Sequence, residues 1–238
     1  MKHVRLYQNT LLNIGEELTL NKYASHHLVK VLRFPQGQSI TLFNGDGFNY
    51  RAEVFETNKH CRVKLLSKDA NPSESKLNLT LAQGVAKGEK MDFLIQKSVE
   101  LGVNKIIPIM TERCVVKLSG DKLIKRTKHW QKIVIGACEQ SGRSVIPEMA
   151  SPIGLDEFLQ QPSVNGFVLH HRSEQTLLDM AVVNNATILI GPEGGLSGAE
   201  IAQATQAGYQ SLLLGSRVLR TETASLAAIA NMQLLWGS

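Results

Sequence analysis

The sequence predicts two units: a small β-rich one, then an α/β unit built on a mainly parallel sheet. Three observations carry this. The hydrophobic rhythm changes across a polar, proline-containing stretch, SKDANPSESK, at residues 67–76. Beyond it, short apolar runs alternate with helical stretches, the order that gives a parallel sheet covered by helices. Two of those runs, ATILIG and SLLLG, end in glycine, and ligands of α/β sheets sit beyond the carboxyl ends of the strands. The expected boundaries are 1–72 and 73–238.

In the first unit, SITLFNGDGFNYRAEVFE alternates on both sides of an N-G-D-G turn, which predicts a hairpin. CRVKLL alternates through Cys61, Val63 and Leu65, and ASHHLVKVLR suits one short helix. In the second unit, LNLTLAQG places Leu77, Leu79 and Leu81 on one strand face. EKMDFLIQKSVELG sets Met91, Leu94, Ile95 and Val99 at helical spacing, with Gly102 at the C-terminal cap. VNKIIPI is the next strand, and DKLIKRTKHWQKIVIGACEQSG a basic helix. GFVLH, ATILIG and SLLLG read as buried strands. Ser197 and Glu200 form an S-x-x-E capping box, so a helix starts just past the glycine loop. ETASLAAIANMQLLW is the last helix.

Composition narrows the function classes. Hydrophobic content of 43% and charged content of 20% over 238 residues suit a globular chain, not a disordered one. No apolar run reaches the roughly eighteen residues that cross a bilayer, and MKHVRLYQNTLLN lacks the apolar core of a signal peptide. No membrane association and a cytoplasmic location are therefore expected. Cys61, Cys114 and Cys138 are odd in number and never form CxxC, which argues against a disulfide framework and a zinc knuckle. The net charge is +5; residues 1–72 hold 10 Lys and Arg against 6 Asp and Glu, so +4 of it lies in the first unit. That excess suits a nucleic-acid partner.

The stretch ILIGPEGGLSGAE, residues 188–200, is a strand-to-helix loop at a site-bearing position. It has no GxxxxGK[ST], no GxGxxG and no GxSxG, so it is not a phosphate loop, a dinucleotide fingerprint or a nucleophile elbow. Glu193 inside it favours a ligand with a positive or neutral centre; a tight turn without a ligand is the other reading. His170 and His171 point to opposite faces of a strand and no Cys or carboxylate spacing completes a site, so no metal is expected.

IGPEGGLSGAE followed by LGSRVLRTETASLAA resembles the SPOUT class of RNA methyltransferases, and more narrowly the 16S rRNA (uracil-N3) methyltransferase family. HHLVKVLR at 26–33, QGVAKGEKMDFLIQKSVELGV at 83–103 and ACEQSGRSVIP at 137–147 extend the resemblance, in order, over nearly the whole chain. It implies a trefoil-knotted α/β methyltransferase domain preceded by a small PUA-like β-barrel domain that binds RNA. It also implies S-adenosylmethionine as cofactor, N3 of a uridine in 16S rRNA as target, and a homodimer. Naked RNA and the assembled small subunit both stay open as the substrate form.

The resemblance further implies cofactor contacts from Leu169, His170, Gly191, Gly195, Leu214, Ser216, Val218, Leu219 and Thr223, with Gly194 shaping the loop. Methyl transfer needs above all an in-line placement of nucleophile and methyl group. The proton on uridine N3 must also leave. Arg220 is a candidate to stabilise the resulting charge, with phosphate binding or a subunit salt bridge as its other roles. Glu193, Glu222 and Glu139 are candidate bases, Glu193 foremost. Candidate RNA contacts are Arg5, His26, His27, Lys30 and Arg33 in the first unit, and Lys87, Arg113 and Arg143 in the second. The helix carrying Lys122, Lys125, Arg126, Lys128 and Lys132 is either a second basic face or a solvated surface. A non-catalytic RNA-binding protein on the same fold, or a methyltransferase of another RNA, are the competing functions.

Overall fold

The alternating segments of the first unit pair into one mixed five-stranded sheet in the computed structural model, which describes residues 4–58, 60–163 and 165–237. The strands are β1 (Arg5–Tyr7), β2 (Glu17–Thr19), β3 (Ser39–Phe43), β4 (Phe48–Thr57) and β5 (Cys61–Ala70), in the order β1-β3-β4-β5-β2. Only β1 and β3 run parallel. The N-G-D-G turn joins β3 to β4, and its Asp46 is fixed from both sides: it accepts from the Phe48 N–H at 3.1 Å and the Tyr50 hydroxyl at 2.6 Å. The period of two puts Ile40, Leu42, Ala52, Val54, Val63 and Leu65 on the buried face. The short helix α1 (Lys22–His26) starts earlier than the sequence suggests because Asn21 caps it, accepting from the Ala24 N–H at 2.9 Å. It then widens into a π-helical turn, His27–Leu32, that stops at Arg33 in the left-handed region, φ 48°.

This unit comprises Met1–Glu74 together with Cys138–Ile146. The ACEQSGRSVIP motif therefore supplies packing here. Asn71 donates to the Gly142 carbonyl at 2.7 Å, and the Ser144 hydroxyl lies 2.6 Å from Asn49 Oδ1. Glu139 accepts the Tyr7 N–H at 3.0 Å; burial pushes its carboxyl above the usual range, and that N–H pulls the other way. Burial also pushes the Cys138 thiol up to about 12, so it is a packing group with no thiolate chemistry near neutral pH.

The other unit, Ser75–Ala137 with Pro147–Ser238, holds β6 (Asn78–Gly84), β7 (Lys105–Met110), β8 (Glu148–Met149), β9 (Ile153–Gly154), β10 (Gly166–Leu169), β11 (Asn185–Ile190) and β12 (Gln210–Leu212). The order is β12-β10-β11-β6-β7-β8, with β9 also on β7, and every described pairing is parallel. The helices are α2 (Glu89–Glu100), α3 (Gly120–Ser141, whose last four residues from Cys138 belong to the first unit), α4 (Leu155–Leu159), α5 (Gly198–Gln206) and α6 (Thr221–Trp236). Helix α2 buries Met91, Leu94, Ile95 and Val99, the face its spacing marks out, and packs on α6. The expected strand SLLLG is shorter than its apolar run. After Leu212 the chain leaves the sheet, because the Leu213 N–H bonds the Gln175 carbonyl at 2.8 Å instead of a strand partner.

Candidate active site

Strands β12, β10 and β11 are neighbours and run parallel, so their carboxyl ends open on the same edge of the sheet. A cavity of about 290 Å³ lies there, at the small end of ligand pockets, which run about 300–1,000 Å³. It is walled by Leu169 to His171 after β10, Ile190 to Leu196 after β11, and Leu212 to Gly215 with Arg217 to Leu219 after β12. Arg113, from the turn after β7, reaches the same cavity.

The β11 loop is shaped by backbone crowding. A Cβ on Gly191 would stand 2.6 Å from the Leu196 nitrogen and 2.7 Å from the Gly195 carbonyl carbon, so no side chain fits. Gly195 takes φ +68° and its N–H closes the turn on the Pro192 carbonyl at 2.8 Å. The loop is also tied from outside. The Gly191 carbonyl accepts from the Thr221 hydroxyl at 2.6 Å and the Gln83 amide at 3.3 Å. The same Gln83 amide reaches Thr221 Oγ1 at 2.9 Å, and its carbonyl lies 2.6 Å from the Ser225 hydroxyl. Gln83, Thr221 and Ser225 are all buried, so this network joins the end of β6, the β11 loop and the start of α6 inside the core. Past the loop, the capping box is formed: Glu200 accepts the Ser197 N–H at 2.7 Å. Its other oxygen accepts the Glu112 N–H at 2.8 Å, which fixes the turn bearing Arg113. Arg113 in turn donates to the Gly194 carbonyl at 2.9 Å.

Glu193 lies on the rim, exposed, accepting the Lys87 N–H at 3.0 Å with the Lys90 ammonium 3.7 Å away. Partial burial raises its pKa. The Lys87 N–H, its own N–H and Lys90 together lower it further, so it sits below the usual carboxylate range. That makes it a fixed negative charge and a weak base. His170 has its pKa lowered, first by burial and then by His171 and Arg172, so a neutral imidazole faces the cavity at neutral pH.

Of the residues expected to hold a cofactor, Leu169, His170, Gly191, Gly195, Leu214, Val218 and Leu219 line the cavity. Ser216 and Thr223 do not; both are exposed, each beside lining residues. Arg220 caps the start of α6 between the lining residues Leu219 and Thr221, exposed, and among the described residues its guanidinium has no bonded partner. Glu139 belongs to the first unit, and Glu222 is outside the lining with one buried oxygen lacking a hydrogen bond.

The expected RNA contacts divide. His26, Lys30 and Arg33 are exposed along α1 and the turn that follows, and His27 is half-buried, stacked on Tyr23 at 6.1 Å. Lys87 and Arg113 are exposed. Arg143 is a correction: it is 3% exposed and grips Glu74 with two bonds of 2.9 and 2.6 Å, so burial removes it from any RNA surface. Arg5 is half-buried too, bonded to Asn49 at 2.8 Å and Ser144 at 3.0 Å and lying over Phe43. Sequence reasoning passed over Gln83, Thr221 and Ser225. The available signal was a glutamine ending an otherwise apolar strand, a costly place for an amide without partners. Among the described residues no group of three or more His, Cys, Asp or Glu is placed to hold a metal, and no helix is long and apolar enough to cross a membrane.

Comparison with known proteins adds independent findings. The chain matches the RNA methyltransferase domain family over residues 73–233 and the RNA methyltransferase PUA domain family over residues 20–66. It is 37% identical to the ribosomal RNA small subunit methyltransferase E of Buchnera aphidicola, covering 98% of this chain and 96% of that protein. The corresponding Bacillus subtilis protein is 32% identical over 86% of this chain and 85% of its own length. Among solved structures, a methyltransferase E from Neisseria gonorrhoeae bound to S-adenosylmethionine is 42% identical with a TM-score of 0.93, covering 99% of this chain and 98% of that one. A Legionella pneumophila methyltransferase with the same cofactor is 39% identical with a TM-score of 0.96 over the full length of both chains.

Proposed function

Because the chain belongs to the ribosomal RNA small subunit methyltransferase E family, we propose that it transfers a methyl group from S-adenosylmethionine to N3 of a uridine in 16S rRNA. The observation that carries this reading is the cavity at the carboxyl ends of β10, β11 and β12. Its lining fits the cofactor. Leu169, Leu214 and Leu219 offer apolar surface to a flat base, the side-chain-free Gly191 and Gly195 leave backbone groups within reach, and His170 is neutral. Glu193 supplies the only carboxylate among the lining residues, suited to a cationic ligand. Val218 closes the rim, and Ser216 and Thr223 complete the set from adjacent positions. S-adenosylmethionine, when bound, supplies a methyl group already activated by a positively charged sulfur.

The chain's own work is therefore placement and charge. Arg220, unpaired and exposed at the start of α6, stabilises the negative charge left on the uracil when its N3 proton passes to solvent water. Glu193 keeps its role as a rim charge; the lowered pKa makes it a poor proton acceptor. The exposed His26, Lys30 and Arg33 of the first unit, and Lys87 and Arg113 by the cavity, hold RNA phosphates and so set position without reading bases. The reading includes a homodimer, a cytoplasmic location, a substrate within the small ribosomal subunit and a trefoil-knotted chain path.

The test is methyl transfer from labelled S-adenosylmethionine to small-subunit rRNA, naked and assembled, from cells lacking the activity. 3-Methyluridine at one position is the expected product. No transfer to either form, with the cofactor still bound, would contradict the reading.

A further inference from the structure

Helix α3 carries a basic stripe that the cavity chemistry does not use. At about 100° per residue, Lys122, Lys125, Lys128, His129 and Lys132 fall within an arc of about 120°. All five are exposed. The opposite face holds Trp130, Val134 and Ala137, each at most 1% exposed, so packing fixes which way the stripe looks. From Lys122 to Lys132 it extends about 15 Å along the helix.

Among the described residues the four lysines are also free of ion pairs, unlike some others of the unit. Elsewhere in the unit Lys97 pairs with Glu100 at 2.8 Å and Lys105 with Glu148 at 3.0 Å. Among the described residues Lys122, Lys125, Lys128 and Lys132 have no ion-pair partner. Asp92, the carboxylate beside the helix, is already engaged by His129 at 2.7 Å, the Trp130 N–H at 3.1 Å and Arg126 at 4.0 Å. Asp92 sits in the first turn of α2, two residues from Lys90, and Lys90 and the Lys87 N–H grip Glu193 on the cavity rim. A run of contacts thus leads from the cavity mouth through the start of α2 to the stripe.

We propose that the α3 stripe is a track for the phosphate backbone of the RNA substrate, carried by the same unit as the cavity and additional to the basic residues of the first unit. It rests on the reading that the chain methylates RNA. Unpaired lysines on a fixed helical face suit a polyanion, because each phosphate contact releases counterions and costs no broken ion pair. Their role is to hold the strand leading to the target base, with no sequence reading.

The experiment is filter binding of a full-length small-subunit rRNA transcript to the full chain over a series of salt concentrations. The variant carries Lys122→Gln, Lys125→Gln, Lys128→Gln and Lys132→Gln together; Lys97→Gln with Lys105→Gln is the matched control. The expected result for the four-site variant is at least a tenfold loss of RNA affinity. The slope of log affinity against log salt shrinks by about 3–4, since each of the four lost contacts removes about 0.7–0.9. S-adenosylmethionine affinity by calorimetry stays unchanged, and the control binds RNA as the parent does. Wild-type affinity and slope in the four-site variant overturn the track and leave the methyltransferase reading intact. Absence of salt-dependent RNA binding by the parent overturns both. Cross-linking of the parent to the transcript gives a check free of mutation: cross-links are expected within residues 122–132, and their absence there also overturns the track.

Discussion

The loop after β11 and the segment after β12 face the same cavity, yet the chain holds them differently. Gly191 to Leu196 is fastened at nearly every residue. Thr221 and Gln83 take the Gly191 carbonyl, Lys87 takes the Glu193 carboxylate, Arg113 takes the Gly194 carbonyl, and Gly195 closes on Pro192. Gly215 to Val218 is exposed throughout, Val218 at 82%. Among the described residues no hydrogen bond engages the amides of 214–219. One wall is held by the chain's own bonds; the other is left open. Preorganised walls lower the ordering cost of binding, and open ones let a ligand enter.

That contrast predicts where substitutions act. The largest effect falls just past the open wall. Arg220→Ala should cut turnover by about 10²–10³ while changing cofactor affinity little, the scale of losing one donor to a developing anion. Single-turnover rates beside calorimetry measure it, and an unchanged single-turnover rate would sink the role of Arg220. In the fastened wall, Gly191→Ala drives a methyl group into the backbone of Gly195 and Leu196, which cannot rotate away. Up to about 3 kcal/mol of stability should go. At this chain length that lowers Tm by about 2–4 °C per kcal/mol.

Thr221→Val keeps the shape and removes the hydroxyl, stripping the Gly191 carbonyl of its shortest bond. A loss of about 1–2 kcal/mol is expected, with weaker cofactor binding, and Thr221→Ser should restore both. If Thr221→Val and Thr221→Ser unfold alike, the network does not hold the loop. Val218→Ala should be the mildest. Its stability should match the parent within about 0.5 kcal/mol, as for surface sites generally. Cofactor affinity should fall roughly fivefold from the lost apolar contact. A Tm drop comparable to that of Gly191→Ala would erase the distinction between the walls.

The same contrast explains what could be read in advance. Glycine spacing, the S-x-x-E box and a strand before it are local signals, so the β11 loop and its helix were legible in the sequence. The lining residues Leu214, Val218 and Leu219 came through resemblance, since apolar side chains in a loop look like ordinary core. The fastening was not legible. Gln83 and Thr221 are 138 residues apart, and a threonine at a helix start reads as a capping residue. Arg143 failed for the same reason: its positive charge is visible in sequence, while Glu74, 69 residues away, is a partner that only folding reveals. The π-helical turn after α1 also lay beyond a reading based on period alone.

The most direct test of the two-wall account is amide hydrogen exchange in the full chain, with and without S-adenosylmethionine. The account predicts slow exchange of the Gly195 amide, which bonds the Pro192 carbonyl, in both states. It predicts fast exchange across 214–219 in the free chain, slowed strongly by the cofactor. Exchange of the Gly195 amide as fast as that of 214–219 in the free chain would contradict it, and so would cofactor protection confined to 191–196.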